Sequence, residues 1–338
     1  MARCNFCTPH RMSQPSSSSI LSGKVIVITG ASSGAGRAAA LTFARHHTIL
    51  ILAARREDAL AELAAECEAL GARTLAVPTD VTDAAAVKAL ATSAIAAAGK
   101  IDVWINNAGV LAAGTFEDTP VAVHDRVIQT NLMGYLHGAH IAVPIFKNQG
   151  YGILINNISI GGWLPVPYGV GYSASKFGLR GFNDALRAEL SSWPDIHVCA
   201  LYPAFLDTPG IQHAANYTGV VLRPAPPVFD PQRVADAMVA LVKNPRPAVW
   251  TDAAAPLMRM AYGLFPDLVG RVAQWVMHTY FKKAAPEPNG TGNLFDTNTP
   301  LTDVHGGWKP MQRKALVGGG FLVAGAIAGF MLLNRRSR

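Results

Sequence analysis

The stretch Thr29-Gly30-Ala31-Ser32-Ser33-Gly34-Ala35-Gly36 lies between the β-branched run Val25–Thr29 and an Ala-rich segment. The run predicts a strand and the Ala-rich segment a helix, so the glycines fall in the turn between them. Glycine suits a tight turn at Gly30, close backbone approach to a pyrophosphate at Gly34, and close helix contact at Gly36. The free amides at such a helix start bind phosphate. We therefore expect a dinucleotide cradle made by Gly30, Ser32, Ser33, Gly34, Ala35 and Gly36.

Strand and helix patterns alternate from this turn to about Asp252. Further strands are predicted at 49–53, 74–77, 103–106, 153–157, 197–201 and 248–251, and helices at 56–70, 84–98, 122–146, 173–190 and 231–242. Such alternation is typical of a parallel sheet with helices on both faces. With right-handed crossovers it predicts an α/β fold, a Rossmann-type doubly wound sheet.

The chain divides by composition into one catalytic domain and its flanking segments. We expect a disordered tail at 1–20, the catalytic domain at 21–252, an amphipathic helical extension at 253–283 and a Pro/Gly/Asn/Thr-rich linker at 284–314. In the extension, Leu268, Val272 and Trp275 recur at helical spacing. That pattern favours a helix packed on the core, with an interfacial helix or a lid over an apolar substrate as the alternative.

The last apolar stretch, 315–333, contains 19 residues without a charge. At 1.5 Å per residue it would extend about 28 Å, close to the thickness of the bilayer's hydrocarbon core. Because residues 1–19 lack the apolar core of a secretory signal, we expect a C-terminal transmembrane helix. The catalytic domain would then be membrane-associated and face the cytoplasm. The alternative is an apolar tail packed on its own domain or on a partner.

Composition argues against several other classes of protein. The net charge is +7, but no basic helix or aromatic-interleaved basic strip accompanies it, so we expect no nucleic-acid partner. Cys4 and Cys7 form a lone CxxC without a second ligand pair, so we expect no metal site. Cys67 and Cys199 fall in apolar patterns that predict buried thiols in a reducing compartment.

Tyr172 and Lys176 are four residues apart at the start of the predicted helix after the fifth strand. They therefore share one helical face. A nearby ammonium would lower the pKa of a phenol towards the value that suits a general acid/base. By itself such a pair is more often two surface side chains.

Several motifs occur together in one order. Three residues separate Gly30 from Gly34, and Asp80-Val81, Asn106-Asn107-Ala108-Gly109 and Tyr172-Ser173-Ala174-Ser175-Lys176 follow. Over residues 22–252 the chain thereby resembles the classical short-chain dehydrogenases/reductases (SDR). The resemblance implies that Asp80 and Val81 contact adenine and that Asn107, Ala108 and Gly109 contact the adenosine.

The resemblance also implies roles for residues near the Tyr–Lys pair. Ser159, 13 residues before Tyr172, would hydrogen-bond the substrate oxygen, and Lys176 the nicotinamide ribose. Asn131 matches an asparagine whose helix distortion holds a water for proton relay. Pro203 and Thr208 match a Pro-Gly motif whose threonine binds the carboxamide, although Ala204 replaces the glycine. The expected catalytic set is Asn131, Ser159, Tyr172 and Lys176.

The preferred nicotinamide cofactor is predicted from the end of the second strand. An acid there would bind the 2′-hydroxyl of NAD, but this chain has Ala53-Ala54-Arg55-Arg56. Two guanidiniums suit a 2′-phosphate, so we expect NADP(H) to be preferred, with NAD(H) possible. Alternatively, the arginines simply begin the next helix on a solvated face.

These features predict an NADP(H)-dependent oxidoreductase that interconverts a carbonyl and an alcohol on a small lipophilic substrate. Residues 161–171 and 209–229 would wall the pocket, with Trp163, Leu164, Val166, Phe205 and Ile211 as apolar side chains. The resemblance implies a homo-dimer or tetramer formed through the long helices. The competing hypothesis is a membrane-tethered dinucleotide-binding scaffold with little turnover.

Overall fold

The central sheet of the computed structural model, which describes residues 20–225, 227–297 and 302–308, is parallel throughout. Its strands are β1 (Val25–Thr29), β2 (Ile49–Ala54), β3 (Arg73–Pro78), β4 (Val103–Asn106), β6 (Gly152–Asn157), β7 (Ile196–Tyr202) and β9 (Ala248–Trp250). Their order is β3-β2-β1-β4-β6-β7-β9, so the direction of winding reverses between β1 and β4. The predicted doubly wound sheet is confirmed, and such folds bind ligands at the carboxyl edge beside this reversal.

In the part of the chain that the structure describes, seven helices lie between the strands, and most of them cover the two faces of the sheet. They are α1 (Gly34–Ala44), α2 (Glu57–Ala69), α3 (Ala84–Ala98), α4 (Val121–Ile128), α5 (Gly134–Gln149), α6 (Val170–Glu189) and α7 (Gln232–Lys243). Alternate side chains of β1 enter opposite layers: Ile26 and Ile28 pack with α1, α2 and α7, whereas Val25 and Val27 pack with α3 and α5. Because both faces are covered, all five residues of β1 are buried, which explains its continuous apolar sequence.

The predicted helix at 122–146 is interrupted in the structure. α4 ends at Ile128, a π-helical turn spans Gln129–Met133, and α5 begins at Gly134. Asn131 lies in this turn, where the resemblance implied a helix distortion. The sequence pattern also missed a small parallel pair, β5 (Ala112–Gly114) with β8 (Ala215–Tyr217), because three-residue strands carry too little periodicity.

The extension after the sheet consists of two helices, α8 (Ala254–Leu264) and α9 (Pro266–Phe281). Ala255 is buried against the loop that follows β6, whereas α9 buries no residue fully and leaves Trp275 64% exposed. α9 contacts the domain near its start, where Val269 packs against the cluster of Ile160 and Leu164, and at its end, where the Tyr280 hydroxyl donates to the Val221 carbonyl at 2.9 Å.

The predicted linker at 284–314 differs from expectation where the structure describes it, since parts of it lie on the catalytic domain. Gly290, for example, exchanges two backbone hydrogen bonds with Asn216 of β8. Residues 1–19 of the predicted tail and the predicted transmembrane helix at 315–333 lie outside the described residues. Within the described ranges, none of the helices combines the length and apolarity needed to cross a bilayer.

Candidate active site

A cleft of about 390 Å³ opens at the carboxyl edge of the sheet. Most of the predicted site residues line it: Gly30, Ser32, Ser33, Gly34, Ala35, Arg55, Asp80, Val81, Asn107, Ala108, Gly109, Ser159, Tyr172, Lys176, Pro203 and Thr208. Three predicted residues, Gly36, Arg56 and Asn131, are absent from this lining. The sheet therefore brings motifs separated by up to 178 positions, from Gly30 to Thr208, into one groove.

The glycine turn depends on close backbone approaches. Gly30 has φ +65°, and a Cβ there would lie 2.6 Å from the Ala108 Cα, so glycine is required on both counts. A Cβ on Gly36 would collide with the Gly30 carbonyl, which explains its place behind the cleft wall. The Asn107 side-chain amide donates to the Thr29 and Gly30 carbonyls, each at 3.1 Å, and ties the turn to β4.

One amide at the start of α1 already has a partner within the chain. The Gly34 N–H donates to the Asp303 carbonyl at 2.9 Å. The expectation of uniformly free amides at this helix start is therefore wrong for Gly34. The reason is that the C-terminal segment at 302–308, which contains Asp303, lies against this turn.

Asp80 lies at one end of the cleft in a network of donors. Its carboxylate accepts from the Arg126 Nη2 at 2.6 Å and from the Thr82 N–H at 2.9 Å. Burial raises the pKa of Asp80, but these hydrogen bonds and the Arg126 charge outweigh it, so the net shift is downward. Asp80 is therefore ionised at neutral pH. Arg126 was not predicted, since it lies 46 residues away on α4.

The two arginines predicted for phosphate recognition are placed differently. Arg55 lines the cleft, and its Nη1 and Nη2 donate to the Leu294 and Asn293 carbonyls at 3.2 and 2.5 Å. Arg56 turns to Asp58, with an Nη2–Oδ2 distance of 2.6 Å, outside the cleft lining. The alternative interpretation, an arginine at the start of the next helix, describes Arg56, which is the residue immediately before α2.

Ser159, at the opposite end of the cleft, has a strained backbone. It follows β6 with φ +100°, a conformation that favours glycine. Hydrogen bonds on either side hold it there, from the Ile158 N–H to the Leu201 carbonyl and from the Ile160 N–H to the Pro203 carbonyl. The Ser159 Oγ accepts from the Gly161 N–H at 3.1 Å, so its own proton remains available for donation.

Tyr172 and Lys176 lie on the same face of α6, in the interior of the cleft wall. Lys176 is 5% exposed, which excludes a surface pair, and its Nζ lies 5.8 Å from the centre of the Tyr172 ring. The Lys176 Nζ also donates to the Asn157 carbonyl at 3.3 Å. Lys176 is therefore buried with a polar backbone contact, whereas the Tyr172 side chain is partly buried and lines the cleft.

The pKa of Tyr172 moves in the direction opposite to the sequence-based expectation. Burial raises it, and only partial compensation comes from a hydrogen bond with Ser159. Burial also lowers the pKa of Lys176 to about 7, and no carboxylate of the described residues contributes to that shift. The expectation of a lowered phenol pKa is wrong for this state because spacing alone does not reveal how deeply both groups are buried.

Asn131 lies behind the cleft and holds the backbone that follows β4. Its side-chain amide donates to the Val110 carbonyl at 2.9 Å, and its Oδ1 accepts from the Val110 N–H at 2.8 Å. The amide also contacts the Ser175 Oγ at 3.3 Å. Asn131 thus links the π-helical turn, the cleft wall and α6.

The apolar wall is only partly as predicted. Val166, Phe205 and Ile211 line the cleft. Trp163 instead stacks against Arg259 of α8 at 3.8 Å, and Leu164 is buried beneath that helix. Both are absent from the cleft lining because α8, which the sequence pattern did not separate from α9, covers them.

Two further residues of the cleft carry buried polar atoms that lack a hydrogen-bond partner among the described residues. They are the Asn157 Oδ1 and the His213 Nε2. Unpaired buried polar atoms are costly unless a ligand or water satisfies them. With cations at one end, a glycine turn in the middle and a Tyr–Lys pair at the other, this groove fits a nicotinamide dinucleotide.

Comparison with known proteins identifies related oxidoreductases. The family model described as short chain dehydrogenase matches residues 24–217. An uncharacterised oxidoreductase of Bacillus subtilis, YxnA, is 31% identical over 328 residues, 91% of each chain. The ketoacyl reductase HetN of a Nostoc strain is 29% identical, over 75% of this chain and 90% of its own. An 11-beta-hydroxysteroid dehydrogenase-like protein of Arabidopsis thaliana is 35% identical, over 55% of this chain and 62% of its own.

Solved structures extend the likeness to the fold and to cofactor complexes. A short-chain dehydrogenase/reductase from Burkholderia phymatum, in complex with NAD, has a TM-score of 0.63 at 27% identity and covers 80% of this chain and 99% of its own. An alcohol dehydrogenase from Thermococcus sibiricus, complexed with 5-hydroxy-NADP, has a TM-score of 0.59 at 28% identity and covers 67% and 95%. This chain therefore belongs to the short-chain dehydrogenase/reductase family of oxidoreductases, which act on alcohol and carbonyl groups.

Proposed function

We propose that this protein interconverts a carbonyl and a secondary or primary alcohol on a small lipophilic substrate, with NADP(H) preferred over NAD(H). The observation that carries the proposal is the meeting of Ser159, Tyr172 and Lys176 at one end of the cleft that contains the glycine turn. The bound nicotinamide supplies or accepts the hydride at the substrate carbon. The protein supplies binding, orientation and the proton.

The hydroxyls of Ser159 and Tyr172 hold the substrate oxygen. The Ser159 Oγ accepts from Gly161, so it donates its proton to that oxygen and stabilises the charge that develops there during reduction. Tyr172 gives its phenolic proton to the same oxygen in reduction and takes it back in oxidation. Because burial raises the pKa of Tyr172, the protonated form that reduction requires predominates at neutral pH.

Lys176 assists Tyr172 through its charge. With a pKa of about 7, it gains or loses a proton near neutrality, and its ammonium stabilises a phenolate while the proton moves. We also assign to Lys176 the contact with the nicotinamide ribose that the family resemblance implies, and to Thr208 the carboxamide. Asn131 acts as a positioning residue through Val110 and Ser175.

The preference for NADP(H) rests on the end of β2. Arg55 is the arginine that lines the cleft there, and no acid follows β2 until Glu57. A guanidinium suits a 2′-phosphate, whereas a carboxylate would repel it. The related structures do not decide between the cofactors, because one was solved with NAD and another with 5-hydroxy-NADP.

A lipophilic substrate agrees with the side chains beyond the Tyr–Lys pair. Val166, Phe205 and Ile211 line that part of the cleft, and Phe205 is 39% exposed. Burying such side chains against a substrate is favourable by about 25 cal/mol per Å² of apolar surface. The names of two relatives, a ketoacyl reductase and a hydroxysteroid dehydrogenase-like protein, point to the same class of substrate.

The test is Tyr172→Phe, assayed by NADPH oxidation against a panel of lipophilic ketones. Loss of the phenolic proton should lower kcat by at least about 1000-fold, while the Kd for NADPH stays within about threefold. Tyr217→Phe is the matched control, since Tyr217 packs in the same apolar cluster as Tyr172. It should retain full turnover.

Full turnover by Tyr172→Phe would refute the assigned role. If the wild-type protein binds NADPH tightly yet turns over none of the carbonyls or alcohols, the dinucleotide-binding scaffold becomes the better description. Equal losses in Tyr172→Phe and Tyr217→Phe would show that the cluster, and not the phenol, was responsible.

We further propose that the protein associates with membranes through residues 315–333, with its catalytic domain facing the cytoplasm. The supporting observation is the charge-free stretch between Arg313-Lys314 and Arg335-Arg336. Deleting residues 314–338 should move the protein from the membrane pellet to the supernatant on cell fractionation. Retention in the pellet would shift the membrane contact to α9, which exposes Trp275 and Val276.

A further inference from the structure

Residues 292–294, which we call the strap, lie at the cation end of the cleft. The Asn293 carbonyl accepts from the Arg55 Nη2, and the Leu294 carbonyl accepts from the Arg55 Nη1 and the Arg126 Nε, each of the latter two at 3.2 Å. Asn293 itself forms part of the cleft lining. The strap, almost 240 residues from Arg55 in the sequence, therefore occupies N–H donors of the guanidinium that we assigned to the 2′-phosphate.

The strap is anchored by its backbone and by one side chain. The Asn293 N–H donates to the His213 carbonyl at 2.9 Å. Gly292 has φ +53°, and a Cβ there would collide with the His213 and Ala214 carbonyls, so the backbone passes close to this loop. The Leu294 side chain is 1% exposed in an apolar cluster with Val123 and Val127 of α4. This side chain is the main apolar anchor of the strap.

The strap and a phosphate require the same atoms of Arg55. A guanidinium binds a phosphate most strongly through two parallel N–H donors. The strap carbonyls accept one N–H from each Nη atom of Arg55, which leaves the second N–H of each Nη and the Nε–H. A 2′-phosphate that takes the pair of donors used by the strap displaces the Asn293 and Leu294 carbonyls.

The charge around Arg55 also depends on the C-terminal segment. Burial lowers the pKa of Arg55, and the carboxylates of Asp80 and Asp296 oppose that shift. Asp296, two residues beyond the strap, thus brings a further negative charge near the end of β2. Beneath the strap, His213 is 6% exposed and its buried Nε2 has no partner among the described residues, so a water or a polar ligand would satisfy it.

We propose that the strap competes with the 2′-phosphate of NADP(H) for Arg55 and thereby sets the preference between NADP(H) and NAD(H). The inference rests on the proposed assignment of Arg55 to the 2′-phosphate. Binding of NADP(H) detaches the strap from Arg55, whereas NAD(H) leaves the strap in place. With the strap in place, the ratio of the NADH Kd to the NADPH Kd is therefore smaller than Arg55 alone would produce.

The first measurement is the Kd of NADPH and of NADH for the full-length protein and for Leu294→Ala, which removes the apolar anchor. The loosened strap should release Arg55, so NADPH should bind about three- to tenfold more tightly while the Kd for NADH changes less than twofold. Leu294→Met is the matched control, because it retains an apolar side chain of similar size. It should behave as the wild type.

The second measurement is amide hydrogen exchange of the wild-type protein in a peptide containing residues 292–294. Saturating NADPH should speed exchange there, since Arg55 no longer holds the two carbonyls, whereas saturating NADH should not. Equal protection by both nucleotides would overturn the proposal and show a strap that closes over either cofactor. Equal changes in both Kd values with Leu294→Ala would also overturn it.

Failure of the underlying assignment gives a different result. In that case Arg55→Ala leaves the ratio of the NADPH and NADH Kd values at its wild-type value. If instead Arg55→Ala lowers the preference for NADPH at least tenfold but Leu294→Ala leaves it unchanged, Arg55 binds the phosphate and the competition by the strap is refuted. Arg187→Ala serves as the control for lost positive charge, because Arg187 pairs with Asp184 on α6 and lies outside the cleft lining.

Discussion

The two ends of the cleft solve the problem of buried charge in opposite ways. At the substrate end, Lys176 is buried with a backbone carbonyl as its polar contact, and its pKa falls to about 7. At the cation end, which we call the adenosine end below, Asp80 and Arg126 form an ion pair at 2.6 Å, and Arg55 is held by two carbonyls. At the substrate end, no carboxylate of the described residues balances the charge of Lys176. At the adenosine end, Asp80 and Arg126 balance each other, and Arg55 has hydrogen-bond partners.

The difference agrees with the proposal that proton transfer takes place at the substrate end. An uncompensated buried amine titrates near neutrality, so its charge can change during a reaction cycle. A compensated pair keeps its charge over a wide pH range and serves to position neighbouring groups. Substitutions that remove a cation from each end should therefore change stability with opposite signs.

Lys176→Met should have the largest effect. Turnover should fall at least about 100-fold because Tyr172 loses its charged neighbour. The folded-state pKa of Lys176 lies below its usual 10.5, so the unfolded chain binds more protons between pH 7 and 10.5. The wild type therefore loses stability as the pH falls through that window. The variant should be more stable near pH 7, by on the order of 4 kcal/mol, and should converge with the wild type near pH 10.5.

The measurement is urea unfolding of both proteins at several pH values across this window. A difference in the free energy of unfolding that does not vary with pH would contradict the lowered pKa of Lys176. Retained turnover would contradict its proposed part in proton transfer.

Arg126→Met, the equivalent change at the adenosine end, should act in the other direction. It removes the partner of Asp80, whose folded-state pKa is lowered, so stability should fall by about 1 kcal/mol at pH 7. That estimate is small because the Asp80 side chain is 35% exposed. The loss should diminish as the pH falls below about 4, where the Asp80 carboxyl is protonated in the unfolded chain. A gain in stability would contradict the compensated pair, and chemical denaturation at pH 7 and at pH values below 4 measures it.

The same contrast explains how far the sequence predicted the site. Tyr172 and Lys176 lie one helical turn apart, and the three glycines of the cradle fall between positions 30 and 36, so their spacing determines their geometry. Arg55 and its carbonyl partner at Leu294 are 239 residues apart, and no local pattern joins them. The strap was for that reason interpreted as linker sequence.

Burial was the second property that local patterns did not reveal. The sheet and its helices were predictable from the sequence pattern, because helices cover both faces of the sheet and its central strands are therefore continuous apolar runs. The direction of the Tyr172 pKa shift did not, since it depends on the side chains packed around α6. The split of the predicted helix at Gln129–Met133 likewise reflects a tertiary contact, from Asn131 to Val110.

Substitutions at Ser159 should have the smallest of these effects, and they test the difference between the two ends of the cleft at a single residue. Three described non-glycine residues have positive φ, and two of them, Ser159 and Tyr168, flank the substrate end. The strap at the adenosine end also has a residue with positive φ, but that residue is a glycine, Gly292, which adopts this conformation without strain. The substrate end therefore carries strain together with uncompensated charge, as sites of chemistry often do.

Ser159→Gly and Ser159→Ala separate that strain from the chemistry. Both variants lose the hydroxyl and its bond with Gly161, so both should lose most turnover. Glycine adopts φ +100° freely and alanine does not, so Ser159→Gly should be the more stable by about 1 kcal/mol in thermal unfolding. An alanine variant that matches or exceeds the glycine variant would show that the backbone at Ser159 is unstrained. Strain would then be no part of the difference between the two ends, which would rest on Lys176 alone.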